Sequence, residues 1–549
     1  MSDAGPVVIV GAGPVGMSAA LQLARFEIPC LLLERRRGLS EHPKARGIRL
    51  RTMELFRQWG IADQLLQVAL PQEAMRFIYC ETLAGREIAR TPPVEVDEGA
   101  LSPTTACRVA QDVVERVLRD RVEAEPKVDL VLGAEVEGVD RCDDGVDVHY
   151  RLAGSERTVR GDHLIAADGV GSGVRRALSI GMDGPESMAY WQSIYWRGDI
   201  SEWVRDRPCI QFFTRAETGS FVTVASVDGK ERWVSLITLP PGGEKPSPPS
   251  EERCVQIVRE AVGDPGLAVD ILDVTTFRLS AQVAARYRVG NIFLAGDAAH
   301  ALPPTGGFGM NTGIQDVHNL VWKLALVRGG EAPSSLLGTY ETERLPVARQ
   351  NRDWSVANSK RMRDIRKALA EGNDAQLRQV LLEQRDHIGA FGQDLGFRYR
   401  RGALVDDGTP DLEPGGGHYM PTARPGHRAP HVWLSQGLRR FSTLDLFDKT
   451  FTLLAGSKGE GWVRLAEAFD GSGTTSIRSF RIAPGVSGED ALADHGVRFE
   501  EIYGTGEEGA VLVRPDGHVA WRSTARPVDD DALTRVMVAV LMQGTETGS

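Results

Sequence analysis

The stretch Gly11-Ala12-Gly13-Pro14-Val15-Gly16 places three glycines where a phosphate-binding turn requires them. Gly11 permits a tight turn, Gly13 lets the backbone approach a pyrophosphate, and Gly16 lets a helix pack close to its strand. Pro14 suits the first position of that helix, whose unpaired N–H groups and dipole favour phosphate. Glu34, about 20 residues further on, is an acid of the kind that accepts both hydroxyls of a ribose, with Arg35 beside it. Two later motifs also end apolar runs on an acid, Asp168-Gly169 and Gly296-Asp297. Asp297 can accept hydrogen bonds from a polyol. The loop after it, through Pro304, Gly307, Gly309, Met310 and Asn311, offers N–H groups and a helix start to negative charge on a reduced ring.

Such residues need elements to hold them. Val7-Val8-Ile9-Val10 is short and β-branched, the pattern of a buried parallel strand. A helical stretch runs on to Ala24, and Cys30-Leu31-Leu32-Leu33 forms a second strand that ends on Glu34. Strand, glycines, helix, second strand and acid in that order specify a dinucleotide site, without choosing between FAD and NAD(P). Leu164 to Ala167 and Asn291 to Ala295 read as further strands, and each delivers its acid to a glycine-rich helix start.

Taken together, GxGxxG, then DGxxSxVR at Asp168 to Arg175, then GDAAHxxPPxGGxGxN at Gly296 to Asn311 resemble the FAD-dependent aromatic hydroxylases of the para-hydroxybenzoate hydroxylase type. The resemblance covers roughly residues 5 to 350. It implies FAD as cofactor, with Asp297 on the ribityl chain and Asp168 near the pyrophosphate and linked to nicotinamide use. It further implies Arg46, in Lys44-Ala45-Arg46-Gly47, beside the flavin, Gln111 at a helix start touching it, and Pro304 near its reactive edge. Arg46 and Pro304 are thus the flavin-edge candidates for catalysis. Phe308 stands where para-hydroxybenzoate hydroxylase has lysine, so that enzyme's substrate electrostatics do not carry over. His300 is tempting as an acid or base but reads better as a residue that fixes its loop. The implied mechanism is reduction of FAD by NADPH or NADH, reaction with O2 to a C4a-hydroperoxide, and transfer of its distal oxygen to an electron-rich phenolic ring. Baeyer–Villiger insertion, an oxidative rearrangement, and an oxidase or dehydrogenase without oxygen transfer are the alternatives.

The expected fold is α/β, with a Rossmann-like FAD domain of the GR2 type (1–176 and 281–400). An antiparallel substrate sheet is inserted at 177–280, and a thioredoxin-like domain follows at 401–549. The segments 192–197, 210–215, 220–224 and 232–237 alternate as strands, with aromatic side chains suited to walling a flat substrate. Ile314 to Val327 and Thr339 to Gln350 read as helices, and the basic run Lys360 to Lys367 as a solvated helix face. Breakers from Asp406 to Gly417 mark a linker. Beyond it come a strand at 451–454, a helix at 462–469 and a hairpin through Asp516-Gly517. This layout resembles the aromatic polyketide hydroxylases, which implies a phenolic polyketide as substrate.

The 549 residues carry a net charge of −11, which disfavours a nucleic-acid partner. None of the six cysteines, all between Cys30 and Cys254, is paired at a metal or dithiol spacing, so neither a metal nor redox chemistry in the tail is expected. With no signal peptide and no membrane-length apolar run, a cytoplasmic enzyme off the membrane is expected. A homodimer stays open.

Overall fold

The computed structural model describes residues 5–542 except 39–41, 95, 216–220, 240–243, 412–416, 471–474, 485–490 and 495–498. Glu413 to Gly416 of the expected linker and Ser220 of an expected strand lie outside the described residues.

The apolar runs pair as a parallel sheet. Its order is Ile292–Leu294, His163–Ala166, Val7–Val10, Cys30–Glu34, Val128–Leu132, with Arg288–Val289 antiparallel at one edge. Val7, Val8 and Ile9 are wholly buried, as continuous hydrophobic strands of a covered sheet should be. Helix Pro14–Arg25 packs against helices Gln111–Glu123 and Gly309–Arg328. The register decides where the motifs meet. Val10 lies beside Leu33 and Ala166, and Ala166 beside Leu294. Four strands therefore end in one row, and Gly11, Glu34, Ala167 and Ala295 lie along a single edge, where open parallel sheets bind their ligands.

A second sheet runs Asp270–Leu279, Ala189–Arg197, Arg232–Leu239, Phe221–Ser226, Gln211–Arg215, Phe77–Cys80, Glu87–Arg90. Its middle strands are those that the alternation picks out. The last two come from far earlier in the chain, and Gln211–Arg215 pairs in parallel with Phe77–Cys80. Phe77-Ile78-Tyr79-Cys80 is buried throughout, so it carries no alternation to mark it as a strand.

In the C-terminal part, Phe451–Ala455, helix Glu460–Asp470 and the parallel strand Ile477–Ile482 precede an antiparallel pair, Ala510–Val513 with Val519–Ser523. Helix Ala532–Leu541 follows. This is the thioredoxin-like order, in a tail without cysteine. It docks through charges sealed from water. Glu343 binds Lys323 Nζ and Arg514 at 2.8 Å each, Arg514 also pairs with Asp516, and Glu54 pairs with Arg51 and Arg428. Trp322 packs edge-on to Phe451 at 5.8 Å beside this cluster.

All six cysteines are free thiols. Burial pushes Cys30 and Cys107 up to about 12, leaving them inert. Among the described residues no helix is long and apolar enough to cross a membrane, and no acid, histidine or cysteine cluster is placed to hold a metal.

Candidate active site

A cavity of about 780 Å³ opens at the shared strand edge and extends beneath the second sheet. That is large within the usual range of roughly 300–1,000 Å³ for small-molecule sites. One end is the glycine cradle. Gly13 and Pro14 line it, and a Cβ built on Gly13 meets nothing within 4 Å, so the backbone is bare toward the cavity. Gly16 faces the other way, and its Cβ would sit 1.8 Å from the Gly11 carbonyl oxygen. Glu34 lines the cavity and is fixed by the N–H groups of Ala12 and Arg36, both at 2.8 Å.

Asp297 also lines the cavity. Its carboxylate is accessible within that space yet ringed by protein, and this enclosure pushes its pKa up. It accepts no hydrogen bond among the described residues. Such an unpaired acid suits a polyol. The loop after it is held from behind. Arg49 donates to the carbonyls of Gly306 and Gly389 and lies over the Phe308 ring at 4.5 Å. Phe308 is therefore buried under Arg49 and does not reach the cavity wall. Asn311 donates to the Gly47 carbonyl at 3.1 Å and the Gly307 carbonyl at 2.6 Å, and accepts the Arg49 N–H at 2.9 Å. It ties the two loops that carry Arg46 and Pro304.

Gln111 accepts the Ala45 N–H at 3.2 Å and donates to Glu115 at 2.6 Å, so it anchors the Arg46 loop from the helix start. Arg46 donates to Gln211 at 3.0 Å, while its Nη1 is buried without a partner among the described residues. Burial first, and then the neighbouring Arg108, bring its pKa down to about 10. The structure thus gathers Gly13, Pro14, Glu34, Arg46, Gln111, Asp297, Pro304, Gly307, Gly309, Met310 and Asn311 around one space.

Other expected contacts fall elsewhere. Gly11, Gly16 and Gly296 shape the backbone behind the wall rather than line it. Asp168 is not a lining residue either: its Oδ2 accepts the Val174 N–H at 3.2 Å, capping helix Gly173–Ala177 together with Ser172. Arg175 then joins the second motif to the third by donating to the Ala298 carbonyl at 2.8 Å. Arg35, in the bend after the strand, does not line the cavity, and Arg36 lines it in its place. His300 is fully buried, held by Asp316 at 2.8 Å, which Arg344 also binds at 2.8 Å. It is a structural histidine, as the sequence suggests.

The far end of the cavity is the face of the second sheet. Trp191, Ser193, Thr223, Val234, Leu236, Thr238, Thr275 and Phe277 point into it at period two, with Phe213 and Phe77 beyond. Phe77 meets Phe213 edge-on at 5.6 Å, and Tyr79 stacks on Phe213 at 4.8 Å, so the aromatic wall is braced from its own layer. Met362, Arg363 and Arg366 complete the wall. The basic run at 360–367 is therefore not merely a solvated face, and Ile365 within it is wholly buried. Sequence reasoning also missed Arg49, Arg108 and His42. Their nearness to the Arg46-Gly47 and Gln111 motifs was the available signal.

Residues 5–355 match the family described as "FAD binding domain", and 422–543 the one described as "Aromatic-ring hydroxylase, C-terminal". A putative polyketide hydroxylase of Streptomyces halstedii is 35% identical, over 98% of this chain and 97% of its own. A 4-methyl-5-nitrocatechol 5-monooxygenase of a Burkholderia species is likewise 35% identical, over 98% and 97%. The solved flavin-dependent monooxygenase PieE, in complex with FAD and substrate, superposes with a TM-score of 0.91 at 33% identity, over 99% of this chain and all of that one. Likeness of this extent, on a cavity that joins a dinucleotide cradle to an aromatic wall, means that the chain belongs to the FAD-dependent aromatic-ring hydroxylases and is a monooxygenase.

Proposed function

We propose that the chain hydroxylates a phenolic aromatic polyketide, using O2 and NADPH or NADH. The observation that carries this is the continuity of one cavity from the glycine cradle to a broad aromatic-lined sheet face. The breadth of that face suits a fused-ring substrate, and similarity to a polyketide hydroxylase supports the same class. The chemistry that FAD supplies when bound is acceptance of a hydride and activation of O2 for transfer of one oxygen atom.

The protein's part is to bind, orient and exclude water. In this reading the N–H groups of Gly13 and Val15 hold the pyrophosphate, Glu34 a ribose and Asp297 the ribityl hydroxyls. Arg46 and the start of helix Gly309–Arg328 favour negative charge on the ring. Phe77, Phe213, Trp191 and Phe277 supply the apolar walls between which a flat phenol lies. Asp168 acts behind the wall, through the position of its helix.

Asp297→Ala is expected to weaken FAD binding by roughly ten- to a hundredfold, the worth of hydrogen bonds to a charged acceptor. Fluorescence titration of the apoprotein with FAD measures it. The apoprotein's thermal midpoint should not fall, since the carboxylate has no partner to lose. Unchanged affinity would remove Asp297 from the cofactor site.

The activity itself is tested with the FAD-loaded protein and a hydroxyanthraquinone. The probe should speed oxidation of NADPH or NADH, and product formed under ¹⁸O2 should carry the heavy atom on a ring carbon. Label in a lactone or ester instead would make the reaction a Baeyer–Villiger insertion. Product oxygen drawn from water, with H2O2 released one-for-one with the nicotinamide consumed, would make the chain an oxidase or dehydrogenase.

A further inference from the structure

Charge is shared unevenly around the cavity. The acids among its described lining residues, Glu34, Glu115 and Asp297, all belong to the cofactor end. Glu34 and Asp297 stand beside the row of strand ends, and Glu115 is held by Gln111 at 2.6 Å. No acid is among the described lining residues at the end walled by Phe77 and Phe213, yet Arg108, Arg363 and Arg366 all reach the lining there. A guanidinium brought to an apolar wall loses water, which is unfavourable unless an opposite charge takes the water's place. A flat, uncharged ring does not supply that charge.

Two parts of the chain deliver these cations. Ser359, Met362, Arg363 and Arg366 recur at three and four residues along helix Gly338–Glu371, so one face of the helix turns to the cavity. Ile365 and Met362 pack into the cluster of Phe77, Tyr79 and Phe213, which fixes that face. Arg108 comes from the loop ahead of Gln111. Its Nε donates to Met75 Sδ at 3.3 Å, and Met75 packs against the same cluster. A Cβ built on Gly47 would lie 2.3 Å from Arg108 Nη1, so the bare glycine leaves room for the guanidinium. A thioether is a weak acceptor. Among the described residues neither Arg108 nor Arg363 has a carboxylate within ion-pair distance. Burial outweighs Cys107 and Glu98 and lowers the Arg108 pKa, and the Glu98 carboxylate is turned to the Ala106 N–H at 2.8 Å. Arg108 stays charged all the same, as arginine does at any physiological pH.

We propose that Arg108, Arg363 and Arg366 form a subsite for a carboxylate borne by the substrate, so that the phenolic polyketide is taken as an acid. The proposal rests on the polyketide reading above and adds a direction to it. The guanidinium fork matches both oxygens of a carboxylate. Arg108 and Arg366, set in the wall, anchor that end of the molecule. Arg363, exposed on the same helix face, draws the anion in from water. The ring then lies between the aromatic walls with its far end toward Pro304. A phenol without the acid meets the same flat walls, but nothing fixes which end leads.

The test is equilibrium titration of the oxidised FAD holoenzyme with two dihydroxyanthraquinones that differ at one substituent, a carboxylate in one and a neutral carboxamide in the other. The wild type should bind the acid at least about tenfold more tightly, as hydrogen bonds to a charged group imply, and added salt should narrow the gap. Arg108→Gln and Arg366→Gln should each remove most of this preference, with affinity for the amide and FAD content unchanged, and Arg108→Lys should restore part of it. Arg363→Gln, at an exposed position that spares folding, should reduce the preference less, because water screens that site. Equal affinity of the wild type for acid and amide, or a preference untouched by all three glutamine variants, would overturn the subsite and leave the hydroxylase reading standing. A wild type that binds neither probe would overturn the polyketide reading, and the subsite with it.

Discussion

Gly16→Ala is expected to yield a protein that purifies without the yellow colour of a flavoprotein. The added methyl group would lie 1.8 Å from the Gly11 carbonyl oxygen and 3.0 Å from its carbon. Both atoms are main chain at the end of a buried strand, so no side chain can swing aside. Relief requires helix Pro14–Arg25 to lift, and ten of its twelve residues are buried against neighbours. Overpacking of this kind costs about 1–3 kcal/mol or more. The displaced helix also carries away the N–H groups that face the pyrophosphate. The ratio of flavin to protein absorbance and the thermal midpoint should both drop. Gly13→Ala is the informative contrast. Its methyl group meets no protein atom, so the midpoint of the apoprotein should hold while FAD affinity falls. Stoichiometric FAD and a native midpoint in Gly16→Ala would show that the close approach is dispensable.

Glu343→Leu is expected to be the most destabilising single change at the junction with the thioredoxin-like domain. It leaves Lys323 with only the neutral Asn319 and Arg514 with Asp516 as its one remaining carboxylate, in a site from which water is excluded, and removing one member of a buried ion pair costs about 3–5 kcal/mol. Burial alone would raise the Glu343 carboxyl; Arg514 and Lys323 outweigh it and hold the pKa at about 2. The folded value is below the ordinary 4.5. The stabilisation is therefore complete above pH 4.5 and drains away as the pH falls from there toward about 2. Chemical denaturation between these limits should show the wild type losing stability more steeply than Glu343→Gln. Lys323 responds differently, its pKa brought down to about 8, chiefly by burial. The Arg514 contact, made to both carboxylate oxygens at 2.8 and 2.9 Å, is what sustains Glu343. Lys323→Met should consequently shift stability little, whereas equal losses from Lys323→Met and Glu343→Leu would contradict this division.

Most of the cofactor cradle was legible because its parts are local. Val7 to Gly16 carries strand, turn and helix start within ten residues, and each glycine answers a steric demand that the chain itself creates. The same holds for Gly296 to Asn311. What could not be read is what depends on registry between distant strands. His42 gains its partners, Asp273 and Ser193, only once two strands pair more than 150 residues beyond it. Phe77 to Cys80 looked like any apolar run until Gln211–Arg215 took it as a parallel neighbour. Arg35 and Arg36 are alike in sequence, and only the bend after the strand decides which of them lines the cavity. Arg363 and Arg366 were read from charge alone, yet the burial of Ile365 between them turns that helix so that both reach the cavity. Asp168 matched its motif, but the short helix at 173–177 claims one of its oxygens.

The row of strand ends that assembles the cradle also sets a timetable for synthesis. His163–Ala166 pairs on one side with Val7–Val10, which the ribosome has long since released, and on the other with Ile292–Leu294. At roughly 5–20 residues per second, about 125 further residues take about 6–25 s to emerge. Throughout that interval an apolar strand edge stands open, with its main-chain donors and acceptors unpaired, a ready template for another chain. FAD cannot shorten the wait, because Asp297 and Asn311 arrive only with the strand that closes the edge. Nascent chains will thus need shielding there, and more flavin in the cell will rescue the finished protein but not the half-made one.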